Sequence, residues 1–182
     1  MQSLTTLLFK IAHWRAALLA TFFYAVFLTQ VMAPQAETMA ATAGTWGAPD
    51  GHFFYTPDEL YAAIGQWPTA AHDAYVSFRL GLDPLWAITY TLWLITLLGI
   101  GLRQSLHEAS AWRQLILLPL IPMLADLCEN ILGIALVTGL PATQPTLAWS
   151  AAIVTALKWT TLAIAHLIMM TALALAAVRR HQ

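Results

Sequence analysis

Two acidic residues and an amide lie close together inside a long apolar run, in the stretch LADLCEN. Asp126, Glu129 and Asn130 are spaced i, i+3, i+4, so in a helix their side chains share one face. Carboxyl groups can carry protons, bind cations or form ion pairs, but a charge at the centre of a membrane helix costs roughly 2.5–3.5 kcal/mol. The spacing therefore predicts a buried polar cluster that needs a counter-charge.

Lys158 is the predicted counter-charge. Counted at about 1.5 Å per residue from the ends of their apolar runs, Asp126 and Lys158 both lie roughly 16 Å deep, near the midplane of a bilayer. A short turn joins the two runs, which favours antiparallel packing of their helices. We therefore predict an ion pair between Lys158 and either Asp126 or Glu129.

The predicted cluster contains more acid than base, because two carboxyl groups share one lysine. Two roles fit such a cluster: it holds the helices in register, or it forms a site for a proton, an ion or a ligand. The sequence leaves both roles open. We expect the second carboxyl group to be protonated or to find another donor. The candidate donors are Arg79, Tyr90, Thr155, Thr161 and His166.

Asp83 has two interpretations. An Asp-Pro pair at the start of an apolar run is typical of a helix N-cap followed by proline at the first helical position. In the alternative, Asp83 faces the bundle and pairs with Arg79, one turn earlier. Trp86 and Tyr90 would then lie on the same side and extend a polar pathway toward Glu129.

Two histidines raise the question of a haem or a metal. His13 and His166 both fall near the inner boundary, so together they could ligate a haem, and His166 with the acids could form a metal site. However, His166 lies about 12 Å along its helix from Lys158, and each histidine fits an interfacial position equally well. The sequence contains no CxxCH, P-loop, GxSxG or HExxH motif. We therefore predict no cofactor and no metal, and leave open whether the protein is an enzyme.

The composition is that of a membrane protein. Hydrophobic residues make up 59% of the 182 residues and charged residues only 9%, whereas a soluble domain carries about 25% charged residues. The net charge is −1 and no basic patch is present, so no nucleic-acid partner is predicted. The single cysteine, Cys128, excludes an intrachain disulfide and a multi-cysteine metal site.

The fold class predicted is all-α, an integral membrane antiparallel four-helix bundle formed by one domain, residues 1–182. Residues 34–83 are predicted to form a helical periplasmic cap. Pro119 and Pro122 predict a kink in the third span. A membrane helix needs about 20 apolar residues, and the predicted spans are 16–33, 84–102, 115–138 and 147–178.

The basic residues predict the orientation. Six of the eight lie before span one, between spans two and three, or after span four, whereas the loop after span one is acidic. Positive residues favour the cytoplasmic side, so both termini are predicted to be cytoplasmic in a bacterial inner membrane. Lys10 and Arg15 before an apolar run would also fit a signal peptide, but that run is long for one.

The cap sequence contains helix signals. In YTPDELYAAIG, Thr56 can cap a helix, Pro57 suits its first position and Glu59 completes a capping box, while Gly65 would end the helix. The stretch TAAHDAYVSFRLGL also has helical character. The many aromatic residues of the cap favour either the membrane interface or packing on the bundle.

Four stretches together resemble a family of small four-span bacterial membrane proteins that has no assigned activity. They are YTPDEL in the cap, FRLGLDPLWAITY entering span two, LPLIPMLADLCENILG in span three and LKW in span four. A looser likeness exists to the four-span emopamil-binding and sigma-2-receptor group, which also buries acids between helices. No site residue is carried over from either family.

The function predicted first is a small inner-membrane accessory or binding protein, whose cluster of Asp126, Glu129, Asn130 and Lys158 sets the helix register. Its partners would be membrane lipids, a lipid-like ligand, a larger membrane complex or a second copy of the chain. The alternative is a membrane-embedded enzyme or proton-coupled carrier that uses Asp126 or Glu129 as its acid or base. That alternative requires a cavity that contacts these carboxyl groups.

Overall fold

The structure is a computed structural model that describes residues 2–180. Over that range the chain forms helices and no strand. Four of the helices are long and apolar enough to cross a membrane. The predicted all-α bundle is therefore confirmed, and the length and composition of the helices make this a multi-pass membrane protein.

Eight α-helices follow one another between residues 2 and 180. They are α1 (Gln2–Ile11), α2 (Trp14–Phe27), α3 (Ala33–Ala43), α4 (Pro57–Ile64), α5 (Thr69–Leu80), α6 (Leu82–Ser105), α7 (Leu120–Thr138) and α8 (Pro145–Arg180). Three short elements join them: a π-helical turn (Leu28–Met32) and two 3-10 turns (Pro49–Gly51 and Ala111–Leu117). Below, the face that carries α4 and α5 is the cap face, and the opposite one is the termini face.

The first span is longer than predicted. Helices α2 and α3 are joined through the π-helical turn into one helix of 30 residues, Trp14–Ala43, which is about 45 Å long. Pro34 explains the turn, because proline has no N–H and its ring clashes with the preceding turn of an α-helix. The wider turn, in which the Ala33 N–H bonds to the Leu28 carbonyl, accommodates it. Residues 34–43, predicted as cap, therefore continue the span.

The third span is broken where a kink was predicted. The 3-10 turn Ala111–Leu117 ends before Pro119, which is the N-cap of α7, and Pro122 lies in the first turn of α7. The first N–H groups of a helix have no partner within it, so a proline there removes no hydrogen bond. The two prolines therefore lie where α7 begins.

Two apolar cores lie at different levels of the bundle. One fills the half nearer the termini face, between α1, α6, the 3-10 turn before α7, and α8. The other lies between the cap and the cap-face ends of α7 and α8. The polar residues of α7 and α8 lie between these two cores, at positions 126–130 and 155–158.

The cap packs against the bundle instead of lying flat on the membrane surface. Its Tyr55, Trp67 and Tyr75 side chains are buried together with residues of α7 and α8. The predicted capping box at the start of α4 is confirmed: the Glu59 N–H donates to the Thr56 side chain, and the Glu59 carboxylate accepts from the Thr56 N–H at 2.7 Å. Helix α4 ends at Ile64 with Gly65 as its C-cap, as predicted.

The loop between α3 and α4 returns toward the bundle through two glycines. Gly44 and Gly47 have φ angles of 82° and 68°. Residues with a Cβ rarely adopt this backbone conformation. After this turn, the His52 ring stacks on Trp46 at 4.2 Å and its Nε2 lies 2.8 Å from the Trp46 carbonyl. The resulting compact loop carries Asp50 to the bundle.

The close approach of α6 and α8 depends on Gly101. A Cβ built on Gly101 would lie 2.9 Å from the Ala172 Cβ and 3.0 Å from backbone atoms of α8. We expect Gly101→Leu to lower the free energy of unfolding by about 1–3 kcal/mol, because the two backbones must separate. Reversible unfolding in mixed detergent micelles measures this loss.

Ala174→Leu is the matched control, because it adds bulk at the same level of the bundle on an exposed position of α8. We expect its free energy of unfolding to stay within about 0.5 kcal/mol of the wild-type value. Equal stability of the two variants would contradict the tight contact at Gly101.

Candidate functional site

Lys158 is the centre of one half of a buried polar network. Its Nζ forms an ion pair with the Glu129 carboxylate and lies 3.4 Å from Asp126 Oδ1. The second Glu129 oxygen accepts a hydrogen bond from the Thr155 hydroxyl, one turn before Lys158 on α8. All four side chains are buried, so α7 and α8 are joined by a charged contact shielded from solvent.

Arg79, at the end of α5, is the centre of the other half. Its Nη1 donates to Asp83 Oδ2 at 3.0 Å and to Asn130 Oδ1 at 2.8 Å, and its Nη2 pairs with Asp50. The guanidinium also lies 4.9 Å from the centre of the Tyr75 ring. A single side chain that is only 3% exposed therefore joins the loop, α5, α6 and α7.

Asn130 and Glu129 connect the two halves, because they are adjacent on α7 and face different cations. We call the whole set the buried network. Its four carboxyl groups and two cations give a formal charge of 2 − 4 = −2 when all are ionised. The members are Asp50, Arg79, Asp83, Asp126, Glu129, Asn130, Thr155 and Lys158.

The buried network lies nearer the cap face than the predicted midplane. Helices α6 and α8 run in the same direction, and Gly101, close to the end of α6, contacts Ala172 of α8. Lys158 precedes Ala172 by 14 residues, which is about 21 Å along the helix, in a hydrocarbon core about 30 Å thick. The predicted depth treated the first residues of α8 as embedded in the membrane, whereas the structure packs them with the cap.

A cavity of about 390 Å³ lies beside the Arg79 half, between α3, the loop and α5. Its wall is largely apolar and aromatic, with Met39, Trp46 and Phe78 among its side chains. Its polar side chains include Asp50 and Arg79, while Asp126, Glu129 and Lys158 are not part of its lining. The cavity therefore contacts the buried network only through Asp50 and Arg79.

The ion pair between Asp50 and Arg79 shifts the pKa values of both side chains. Burial raises the pKa of Asp50, but Arg79 and Lys158 outweigh burial and hold that pKa below its usual value. Burial likewise lowers the pKa of Arg79, but the Asp50 carboxylate outweighs it and the pKa is raised. Both groups are therefore ionised near neutral pH. Burial also raises the pKa of Tyr55, to about 12, so the Tyr55 hydroxyl stays neutral.

The structure brings together most of the predicted site residues. Lys158 contacts both acids that were candidates for its partner, and Asn130 turns to Arg79 instead of Lys158. The N-cap interpretation of Asp83 was wrong: α6 begins at Leu82, two residues earlier, with Gly81 as its cap, and Asp83 is buried against Arg79.

The candidate donors Thr161, His166 and Tyr90 form no hydrogen bond with Asp126 or Glu129. Thr161 donates to the Leu157 carbonyl of its own helix, and His166 lies 2.8 Å from the Leu162 carbonyl and packs on Trp93. The buried Tyr90 hydroxyl has no hydrogen-bond partner, although it lies within electrostatic reach of Asp126.

The two histidines considered as haem ligands each make a local hydrogen bond. Among the described residues, no group of three His, Cys, Asp or Glu side chains is placed to hold a metal. His13 caps the start of α2, where its Nδ1 accepts from the Ala16 N–H at 3.2 Å, and His166 bonds to its own helix.

Asp50 is the network member that the sequence analysis missed. It was counted among the acidic residues of the loop because nothing in GAPDGH marks a buried carboxylate. Its position depends on long-range contacts: Arg79 pairs with its side chain, and the Trp159 Nε1 donates to its carbonyl at 3.0 Å. The unusual neighbourhood of three aromatic rings, Trp46, His52 and Tyr55, is the one local sign of a packed loop.

Replacing Lys158 tests the energetic role of the network. We expect Lys158→Met to lower the free energy of unfolding by about 3–5 kcal/mol, because two buried carboxylates lose their cation. The triple variant Lys158→Met/Asp126→Asn/Glu129→Gln should recover a large part of that lost stability. Unfolding in mixed micelles measures both.

Lys10→Met is the matched control, because Lys10 is exposed and its loss should change stability by no more than about 0.5 kcal/mol. If Lys158→Met unfolds like Lys10→Met, or if Asp126→Asn/Glu129→Gln alone is as stable as the wild type, the network does not hold the helices together.

Comparison with known proteins gives no assignment for this chain. No family model, curated protein or solved structure matches it. The resemblance to small four-span membrane proteins therefore stays a prediction, and the site must be interpreted from its own side chains.

Proposed function

We propose that this protein is a small membrane-embedded binding protein that holds a lipid-like ligand in the cavity beside Arg79. The observation that carries the proposal is the cavity itself, because its position and lining suit a molecule with one polar and one apolar end. The buried network is then the frame that fixes the cap against the bundle and keeps the cavity open.

The lining supports this proposal. Ligand sites are concave, mostly apolar and contain a few polar groups that fix orientation. Here Met32, Met39 and Phe78 supply the apolar wall, while Asp50 and Arg79 supply charge. The cavity volume of about 390 Å³ is at the lower end of the range for small-molecule sites, roughly 300–1,000 Å³. It suits a headgroup with the first part of a chain.

The competing prediction, an enzyme or proton-coupled carrier, needs an opening to Asp126 or Glu129. The cavity contacts Asp50 and Arg79 instead, and Glu129 is enclosed by Lys158 and Thr155. Binding is therefore the function that the geometry favours.

A role as an accessory subunit stays a prediction. Most of α2 is exposed, including Leu18, Leu19, Phe22 and Phe23, and this surface would face lipid in a bilayer. A partner membrane protein or a second copy of the chain would have to pack there.

Filling the cavity tests ligand binding. Ala36 lines the cavity, so Ala36→Trp places a large ring inside it. We expect protein purified in mild detergent to retain a lipid-like molecule, and Ala36→Trp to retain on the order of tenfold less, equivalent to a loss of about 1.4 kcal/mol in binding. Mass spectrometry of the intact complex and of its extracted lipids measures this.

Ala40→Trp is the control, one turn further along α3 on an exposed position outside the lining. It should retain as much ligand as the wild type. Equal retention by the two tryptophan variants, or no retained ligand in the wild type, would contradict the proposal.

We also propose that the protein lies in a bacterial inner membrane with both termini in the cytoplasm. The support is charge: Arg15, Arg103 and Arg113 lie toward the termini face, and Asp58 and Asp73 lie in the cap. Positive residues favour the cytoplasmic side.

We expect a fluorescent protein fused after residue 182 to fluoresce and alkaline phosphatase fused there to be inactive. The reverse result would overturn this orientation.

A further inference from the structure

We propose that the ligand of the cavity carries an ammonium group next to an oxygen atom, with the ammonium bound by Asp50. This inference rests on the proposed function and adds the chemical class of the headgroup. An ethanolamine group on an apolar tail has this chemistry, and so does free ethanolamine. The apolar and aromatic wall favours the form with a tail.

The charge of the surroundings favours a cationic headgroup. The buried network has a formal charge of −2, with Asp50 as the carboxylate that lines the cavity. Among the described residues of the lining, Arg79 is the side chain with a permanent positive charge, and its Nη1 and Nη2 already contact Asp50, Asp83 and Asn130. An anionic headgroup would therefore meet a cation that is already paired with two carboxylates, within a network that has a surplus of carboxylates.

Part of the Asp50 side chain remains accessible to a ligand. Its Oδ1 is buried and faces Arg79 Nη2, yet 23% of the side chain remains exposed. Because Oδ1 is buried, this exposure belongs to the rest of the side chain, which includes Oδ2. A carboxylate can accept several hydrogen bonds at once, so Asp50 can hold Arg79 and bind an ammonium group together.

The aromatic part of the wall suits the same group. The Trp46 indole and the Phe78 ring line the cavity beside Asp50. A cation within about 6 Å of such a ring face gains roughly 0.5–1 kcal/mol at an exposed site. Because the Tyr75 ring already lies under the Arg79 guanidinium and the His52 ring stacks on one face of Trp46, Phe78 and the second face of Trp46 are the ring surfaces left for the ligand.

Arg79 supplies a second point of recognition. Its Nε–H is buried and has no hydrogen-bond partner, although Arg79 lines the cavity and is 3% exposed. A buried donor without an acceptor is costly. A hydroxyl, ester or phosphate oxygen close to the ammonium group would accept from it. The Asp50 carboxylate and the free Arg79 N–H donor together therefore bind an amino-alcohol headgroup more tightly than they would bind a simple amine.

A pair of lipids that differ in the amine tests the inference. The protein is placed in nanodiscs with equal amounts of phosphatidylethanolamine and phosphatidylethanol, which has the same ester and chains but no amine. We expect the lipids retained on release into detergent to favour phosphatidylethanolamine by at least about fivefold, equivalent to about 1 kcal/mol. Asp50→Asn should bring the ratio close to one. Asp58→Asn, which changes an exposed acid of the cap, should leave it unchanged.

The outcomes separate the inference from the proposed function. Retention of both lipids at a ratio near one, or a preference for phosphatidylethanol, would overturn the ammonium site and leave the lipid-binding proposal standing. Retention of neither lipid, together with no binding of free ethanolamine, would overturn both. If Asp50→Asn fails to fold, the ratio measured on the wild type still decides. Binding of free ethanolamine at millimolar concentration to protein that retains neither lipid would overturn the lipid-like tail and assign the same site to a soluble amine.

Discussion

Two permanent charges buried in an apolar bundle constrain the rest of this fold. Arg79 and Lys158 are both nearly inaccessible to solvent, and burying such a charge without a partner costs several kcal/mol. Each must therefore meet carboxylates, and the carboxylates come from different elements: the loop and α6 for Arg79, and α7 for Lys158. Pairing the charges fixes how these elements lie against one another.

The position of the cap follows from the same constraint. Helix α5 cannot move away from the bundle without separating Arg79 from Asn130, and the loop cannot move without exposing Asp50. The aromatic core between the cap and the ends of α7 and α8 then closes around these contacts. The cavity lies between α3 and this fixed cap, and two of its polar side chains, Asp50 and Arg79, are members of the network.

Part of this arrangement could be predicted from the sequence, because it depends on local spacing. The i, i+3, i+4 pattern of Asp126, Glu129 and Asn130 places them on one face, and the capping box of α4 is a signature within four residues. The depth of the cluster could not be predicted, since an apolar helix end that packs against a cap has the same composition as one in lipid.

The role of Asp50 could not be predicted for a different reason. Its partners, Arg79 and Trp159, are 29 and 109 residues away along the chain, and no periodicity links a loop residue to them. The choice between the two roles of Asp83 also needed the tertiary structure, because the Asp-Pro pair fits a cap and a first helical turn equally well.

The contact between Lys158 and Glu129 is the most direct test of the account. The chain has two lysines, Lys10 and Lys158, so Lys10→Arg leaves one site for a ¹⁵N-lysine label. Dipolar recoupling in bilayers then measures the distance from Lys158 Nζ to ¹³C-labelled glutamate side chains. The account predicts one strong coupling, corresponding to about 4 Å or less, that disappears in Glu129→Gln. Absence of any coupling in the folded protein would contradict the paired network and the cap position that depends on it.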